Sequence, residues 1–144
     1  MSENKASVTE VVNVDDKDWF LQDLIEIANS GKMSFDVTLT VGGFLVSGTL
    51  IGGKEYFQGF GEEFSFGLKG EAAEKVKAAF SKNGDVYANK SEPALAPSYI
   101  HLKNAHFFHT SGTPIPENRG VWWRGRVSEI SGFSLGALIT DTSQ

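Results

Sequence analysis

A predicted β-hairpin over residues 33–51 limits the fold more than any other segment of the chain. Apolar and polar residues alternate along its first half, which is the pattern of a strand with one buried face. The apolar positions are Met33, Phe35, Val37, Leu39 and Val41. Gly42 and Gly43 can adopt the positive φ angles of a tight turn, after which Phe44–Ile51 returns as a second strand. Gly48 inside that strand predicts a sharp bend or bulge.

Three further strands and a helical excursion follow the hairpin. The predicted strands cover residues 99–109, 121–130 and 133–138, the helical excursion covers 54–82, and a loop covers 85–98. Glycines divide the excursion into two helical pieces, the second over 70–81. The apolar stripe of that piece is Ala72, Val76, Ala79 and Phe80. The fold class is α+β, with a small bent antiparallel five-stranded sheet or an Sm/SH3-like barrel, and a helical insertion between strands two and three.

An N-terminal helix precedes the hairpin. Asp15 or Asp16 can cap a helix over residues 16–30, and Gly31 can end it. The apolar face predicted to pack on the sheet consists of Phe20, Leu24, Ile27 and Ala28. The domain organisation that we expect is a mobile N-terminal arm over 1–14, a single α+β domain over 15–139 and a short polar tail over 140–144.

The charge and the lack of cysteine exclude several classes of protein. The chain has 13 Lys and Arg against 18 Asp and Glu, a net charge of -5, which opposes binding to nucleic acid. Without cysteine there are no disulfides and no thiolate metal sites, and the expected location is the cytoplasm. The longest uncharged stretch, residues 37–53, is shorter than the roughly 20 apolar residues of a membrane-spanning helix. We therefore expect no membrane partner.

The sequence contains no arrangement that predicts catalysis. Residues 132–136, GFSLG, match G-x-S-x-G, but that mechanism needs a histidine after the serine and none follows. The three histidines lie in one predicted strand, whose alternation would place His101 and His109 on one face and His106 on the other. Three side chains so arranged cannot converge on a metal ion. We expect no catalytic residue, no cofactor and no metal site, and we predict that the protein is not an enzyme.

Aromatic and cationic residues give two candidate partner-binding surfaces. One side of the fourth strand carries Trp122, Arg124 and Arg126, and Trp and Arg are the residue types that dominate interface hot spots. Alternatively, the arginine stems pack over Trp122, or a helix covers this face. The second candidate is a stripe of phenylalanines in the helical excursion, which is either core or a partner-binding ridge. Its members are Phe57, Phe60, Phe64 and Phe66.

Three segments of the chain resemble one known family. They are DVTLTVGGFLVSGTLIGGKEYF at 36–57, YIHLKNAHFF at 99–108 and VWWRGRVSEISGFSLG at 121–136. These segments resemble the U-type accessory proteins of bacterial gas vesicles, which are protein-walled, gas-filled flotation organelles. The resemblance implies a non-enzymatic protein that helps assemble, organise or cluster gas vesicles. The mechanism that we infer for such a protein is self-association as a homo-oligomer combined with contact with the gas vesicle shell or with other gas vesicle proteins, in the cytoplasm.

A second resemblance concerns the fold. The order of elements is similar to that of Sm-like barrels, with matching positions at Gly43, Gly48, Asn104, Arg124 and Gly125. It implies an Sm-like RNA-binding ring as the alternative function, although the negative net charge counts against RNA binding. RNA affinity that falls steeply with rising salt would distinguish this alternative from the first.

Overall fold

The structure of the chain, a computed structural model, describes residues 17–88, 95–115 and 119–138. The predicted arm, the predicted tail and both candidate cap residues, Asp15 and Asp16, lie outside these residues. Within them, Asp18 caps the first helix, since its carboxylate accepts a hydrogen bond of 2.9 Å from the Phe20 amide. Among the described residues, no helix is both long enough and apolar enough to cross a membrane.

The described residues form an N-terminal helix, a β-hairpin, a helical excursion and three further strands, in that order. The helices are α1 (Trp19–Asn29), α2 (Gly53–Phe64), α3 (Gly70–Asn83) and α4 (Asp85–Ala88). The strands are β1 (Phe35–Val41), β2 (Phe44–Ile51), β3 (Tyr99–His109), β4 (Val121–Arg126) and β5 (Ile130–Leu135). This order confirms the predicted α+β class. The predicted loop over 85–98 is wrong at its start, where α4 forms because Tyr87 packs against Gly53; residues 89–94 lie outside the described residues.

The strands form one open antiparallel sheet of five strands in the order β4-β3-β2-β1-β5. The hairpin closes with Val41 opposite Phe44, and Gly42 has a φ of 59°, as predicted from the glycine pair. β4 and β5 are the two edges, and no pairing in the described part of the chain joins them. Of the two predicted architectures, the structure has the bent open sheet and not the closed barrel.

A bulge bends the sheet where β2 meets β3. The register shifts between Ser47 and Thr49, which confirms the irregularity predicted at Gly48. A Cβ atom at Gly48 would lie 3.0 Å from the Ala105 Cα, so the close approach of the strands requires glycine there. Opposite this glycine, Asn104 has a φ of 55° and adds an extra residue to β3. The side-chain alternation of β3 therefore reverses beyond Asn104.

Helix α1 lies across one face of the sheet and completes the hydrophobic core. The fully buried members of this core are Leu21, Ile25, Val37, Leu39, Val46, Leu50, Ile100, Leu102, Ala105 and Val127. The predicted face of α1 is wrong by one residue, which is a rotation of about 100°. Leu21 and Ile25 are buried, whereas Phe20 is 52% exposed and Ile27 is also exposed. Ala28 is buried and Leu24 packs against the core as predicted, because both residues border the two possible faces.

The helical excursion covers part of the opposite face of the sheet. α2 packs over the outer side of β3 and β4, and α3 packs on α2. The division of the excursion into two main helices confirms the prediction, but the predicted stripe of α3 is partly wrong, since Ala72 and Ala79 are exposed. A Cβ atom at Gly61 would lie 2.8 Å from the Cβ atom of Phe80, so the two helices approach at this point. The face of α3 that packs on α2 is therefore the one that carries Phe80, and the partly buried Ala73 lies on the same face.

The fourth and fifth strands divide at a different point from the predicted one. β4 ends at Arg126, Val127–Glu129 form a 3₁₀ turn, and β5 begins at Ile130. The amide of the buried Val127 donates a hydrogen bond of 2.8 Å to the Ser98 carbonyl, which continues the register of the β3–β4 pair by one residue. The chain then leaves this ladder through the 3₁₀ turn, so the predicted strands over 121–130 and 133–138 are wrong at their junction.

Candidate functional site

Arg124 of β4 lies opposite His101 of β3 on the outer face of the sheet. Its Nε atom donates a hydrogen bond of 3.1 Å to His101 Nε2, and its Nη2 atom donates one of 3.1 Å to the Tyr87 hydroxyl. The guanidinium carbon lies 3.8 Å from the centroid of the Tyr99 ring and 5.5 Å from that of Phe57. We call these five residues the Arg124 cluster. Through it, one side chain connects both strands to α2 and α4.

His101 is fully buried in this cluster and is neutral at physiological pH. Burial, and secondly the positive charge of Arg124, lower the pKa of its imidazole to about 3. Because arginine only donates hydrogen bonds, His101 Nε2 is the unprotonated nitrogen and Nδ1 carries the proton. This buried Nδ1 has no hydrogen-bond partner among the described residues. An unpaired buried donor costs about 1–3 kcal/mol, which the packing around the ring has to offset.

Aromatic rings provide that packing. The ring centroids of Tyr56 and Tyr87 lie 4.8 Å and 4.9 Å from the centroid of the His101 imidazole. Phe57 stacks on Tyr87 with a centroid separation of 6.1 Å. Burial raises the pKa of the Tyr56 hydroxyl, and the positive charge of Arg124 opposes this shift. The polar centre of the cluster is thus enclosed by rings from α2 and α4, and it holds these helices on the sheet.

Trp122 packs against α2 at a glycine. A Cβ atom at Gly59 would overlap the Cη2 and Cζ2 atoms of the Trp122 indole. The indole also meets the Tyr56 ring edge to face, with centroids 6.2 Å apart. Trp122 therefore agrees with one alternative given in the sequence analysis, in which a helix covers this face of the fourth strand.

An aromatic groove opens beside Trp122 at the free edge of β4. It has a volume of about 210 Å³ and is lined by Phe60, Glu63, Phe64, Val121 and Trp122. Phe64 is 60% exposed, although its ring contacts Phe60 and the Phe80 ring of α3. At the rim, Arg119 Nη1 lies 3.5 Å from Glu63 Oε2, and an exposed pair of this kind adds little stability. The groove is therefore a largely apolar surface with an acidic residue at its margin.

Four of the five predicted partner-binding residues belong to the Arg124 cluster or to the aromatic groove. Phe57 and Arg124 belong to the Arg124 cluster, and Phe60 and Trp122 line the aromatic groove. Arg126 is exposed at the other end of β4, where it pairs with Tyr99 in the β-ladder. All of them except Arg126 make contacts that support the fold, and binding of a partner by any of the five stays a prediction.

The sequence pattern did not predict that His101 and Tyr87 are structural partners of Arg124. It also placed His106 on the face opposite His101, which is wrong because the extra residue at Asn104 reverses the alternation of β3. His106 pairs with Ser47, whose side chain lies on the outer face with Thr38. The sequence feature that could have predicted the burial of His101 is its position between two apolar residues, Ile100 and Leu102, in a strand long enough to lie inside the sheet.

The described residues form neither a metal site nor the strained turn that a G-x-S-x-G nucleophile requires. The described residues contain no group of three or more His, Asp or Glu side chains that could hold a metal ion. Ser134 of the G-x-S-x-G match lies within the edge strand β5, opposite Thr38. A serine nucleophile of this motif requires a strained turn between a strand and a helix, and Ser134 is not on one.

Fold and site together define a class: a small α+β protein with one helix on the inner face of its sheet, aromatic helices on the outer face and an apolar groove at one edge. The chain belongs to a gas vesicle protein family, since residues 18–138 match the family model described as Gas vesicle protein GvpU-like. This match covers most of the chain and confirms the resemblance found in the sequence. No curated protein and no solved structure matches the chain significantly.

Proposed function

We propose that this chain is a non-enzymatic accessory protein that helps assemble, organise or cluster gas vesicles in the cytoplasm, by self-association and by contact with the vesicle shell. Membership of the GvpU-like family supports a role connected with gas vesicles. The observation that best supports the finer proposal is the composition of the β4 edge, where an aromatic groove and exposed arginines occur along one edge strand of the sheet. Aromatic and arginine side chains dominate protein interfaces.

Arg126 is the most direct probe of shell contact. Its side chain is exposed, and its neighbours Trp122 and Arg124 also support the fold, so substituting either of them would confuse binding with folding. Arg126→Glu reverses one charge at the outer face of β4. Lys75→Glu makes the same change on the exposed side of α3 and serves as the matched control.

Flotation with intact gas vesicles tests the proposal. Each purified protein is mixed with vesicles at physiological salt and centrifuged gently, and the buoyant layer is assayed for protein while light scattering follows particle size. We expect the wild type and Lys75→Glu to float with the vesicles and to increase the particle size, and Arg126→Glu to do so several-fold less. Wild-type protein found wholly in the subnatant would contradict shell contact, and equal flotation of Arg126→Glu would remove this arginine from the interface.

The Sm-like RNA-binding ring stays the alternative hypothesis. Arg124 and Arg126 on one strand favour it, and the net charge of -5 opposes it. A fluorescent single-stranded RNA titrated with the protein at several salt concentrations separates the two functions. Binding that weakens steeply with salt, together with protein absent from the buoyant layer, would favour the alternative.

A further inference from the structure

Phe66 is the most exposed phenylalanine of the described residues, at 90%. It lies two residues beyond the end of α2, between Ser65 and Gly67 in the turn that leads to α3. Phe64, 60% exposed, is close to it in the chain and lines the aromatic groove. An isolated exposed apolar residue is ordinary, but two exposed phenylalanines within three residues, one of which lines an apolar groove, are the kind of grouping that marks interaction sites.

The aromatic groove has the size and chemistry to hold one aromatic ring. Its volume is about 210 Å³, and its walls are the side chains of Phe60, Phe64, Val121 and Trp122 together with Glu63. An apolar protein cavity of about 150 Å³ can accommodate benzene. A phenylalanine side chain from outside therefore fits this groove, with room for its Cβ atom at the opening.

We propose that Phe66 of one copy of this chain occupies the aromatic groove of a second copy, in a two-fold symmetric dimer. The proposal rests on the self-association proposed above and names the surface that carries it. In a two-fold contact the same patch meets itself, so each chain must supply both halves of the interaction. This chain does so, since Phe66 directly follows the helix whose last turn contributes Glu63 and Phe64 to the groove.

The charged residues beside Phe66 and beside the aromatic groove have opposite signs, which agrees with the proposed dimer. Lys69 is exposed in the same turn as Phe66, and Glu63 lies at the rim of the groove, 53% exposed. In the proposed dimer the turn of one copy approaches the groove of the other, so Lys69 of one copy comes close to Glu63 of the other and shares this carboxylate with the exposed Arg119, which lies 3.5 Å from it. Such a pair contributes orientation more than affinity.

The predicted contact is weak. A buried phenylalanine removes about 150–250 Å² from water, so two rings with their surroundings give an interface at or below the small end of specific complexes, about 1,200 Å². Dimerisation should accordingly depend on concentration in the micromolar range or above. Many such contacts between molecules held on neighbouring vesicles would act together, because linked sites raise avidity.

Sedimentation velocity of the purified full chain over a range of concentrations tests the dimer without vesicles. We expect the wild type to pass from monomer to dimer as its concentration rises, and Phe66→Ala to raise the dimer dissociation constant at least tenfold. Phe20→Ala is the matched control, because Phe20 is half exposed on α1, across the sheet from the groove. A wild type that stays monomeric, or a Phe66→Ala variant that dimerises like the wild type, would overturn the proposal.

A mixing experiment tests the two-fold arrangement itself. Phe64→Glu places a charge at the groove and keeps Phe66, while Phe66→Ala keeps the groove and removes the ring. Each variant alone should be monomeric, and an equimolar mixture should recover part of the dimer because one ring-in-groove contact is restored. A mixture no more dimeric than its components, with both variants folded by circular dichroism, would rule out this geometry.

Flotation distinguishes this inference from the proposed shell contact. A monomeric wild type that still floats with vesicles overturns the dimer and leaves shell contact in place. A dimer that depends on Phe66 but stays in the subnatant supports the dimer and contradicts shell contact. With both proposals correct, Phe66→Ala floats with the vesicles but increases their particle size less than the wild type does.

Discussion

The buried imidazole of His101 accepts a hydrogen bond of 3.1 Å from the exposed side chain of Arg124 across the β3–β4 pair. The bond fixes the tautomer of the histidine and leaves its protonated Nδ1 buried without a partner in the described part of the chain. Arg124 simultaneously binds the Tyr87 hydroxyl of α4. One of the contacts that attach the helical excursion to the sheet therefore involves a buried, neutral histidine, beside the packing of Trp122 on α2.

Stability is expected to fall as the pH is lowered below about 6.5, the ordinary pKa of histidine. The folded protein holds the pKa of His101 at about 3, so between these two values the unfolded chain binds more protons than the folded one. The free energy of unfolding therefore rises with pH across this window and is lost on acidification, by at most about 1.4 kcal/mol per pH unit. Urea unfolding followed by circular dichroism between pH 7 and pH 4 measures this slope.

Two glutamine variants isolate the contribution of His101 from that of the carboxylates. His101→Gln can still accept the bond from Arg124 but does not titrate, so its stability should depend less on pH than that of the wild type. His109→Gln makes the same substitution at an exposed histidine at the end of β3 and serves as the control. Identical slopes for all three proteins would contradict a neutral, buried His101.

Replacing Arg124 is expected to destabilise the protein even though its side chain reaches the surface. Arg124→Ala leaves His101 Nε2 without its donor and removes the cation from the Tyr99 ring, a loss of about 1–3 kcal/mol. Arg124→Lys should recover little, because an ammonium group cannot donate in two fixed directions and also lie flat on a ring. Equilibrium unfolding at neutral pH measures both variants. A fully stable Arg124→Lys would show that charge alone accounts for the role of this residue.

The elements whose hydrophobic pattern is compatible with only one buried face were predictable from the sequence. The hairpin is one of them, since strict alternation and a glycine pair fix both its turn and its buried face, Val37 and Leu39. Helix α1 is a counterexample. Its sequence WFLQDLIEIAN is apolar around more than half of its circumference, so Phe20 and Leu21 both begin stripes at helical spacing. Which of the two stripes is buried depends on where the sheet lies against α1. The local sequence of the helix does not determine that position.

The site was harder to predict, because its contacts join distant parts of the chain. Arg124 and Trp122 were recognisable as residue types suited to contacts, but their partners Tyr87 and Gly59 lie in the helical excursion. The alternation of β3 also reverses at Asn104. Asparagine is one of the residue types enriched at positive φ, but residue type alone does not show that an asparagine inside a strand adopts this conformation. Errors of this kind change which side chains share a face.

The corrected face of α1 predicts unequal effects for two adjacent substitutions. Leu21→Ala should cost about 2–5 kcal/mol, because the side chain is fully buried in the core and leaves a cavity. Phe20→Ala should cost about 1 kcal/mol or less, since this ring is half exposed and packs at the margin of the core against Phe133 and Trp19. Urea unfolding of both variants measures the difference. Equal losses would mean that α1 is rotated from the position described.

Substituting Gly59 tests the contact that shapes the aromatic groove. In the interior of a helix, alanine is normally more stable than glycine by about 1 kcal/mol. At Gly59 the sign should reverse, because the added methyl group overlaps the Trp122 indole and displaces it, at a cost of about 1–3 kcal/mol. Gly132→Ala is the control, since a Cβ atom there meets nothing within 4 Å.

Urea unfolding measures the stability of both glycine variants, and tryptophan fluorescence reports whether the indole has moved into water. Gly59→Ala should be less stable than the wild type with red-shifted emission, while Gly132→Ala should change neither property. Combining Gly59→Ala with Trp122→Leu should restore part of the loss expected from the two single variants, because the smaller side chain removes the overlap. A Gly59→Ala protein at least as stable as the wild type would show that Trp122 does not rest on α2, and the groove would then lack one of its walls.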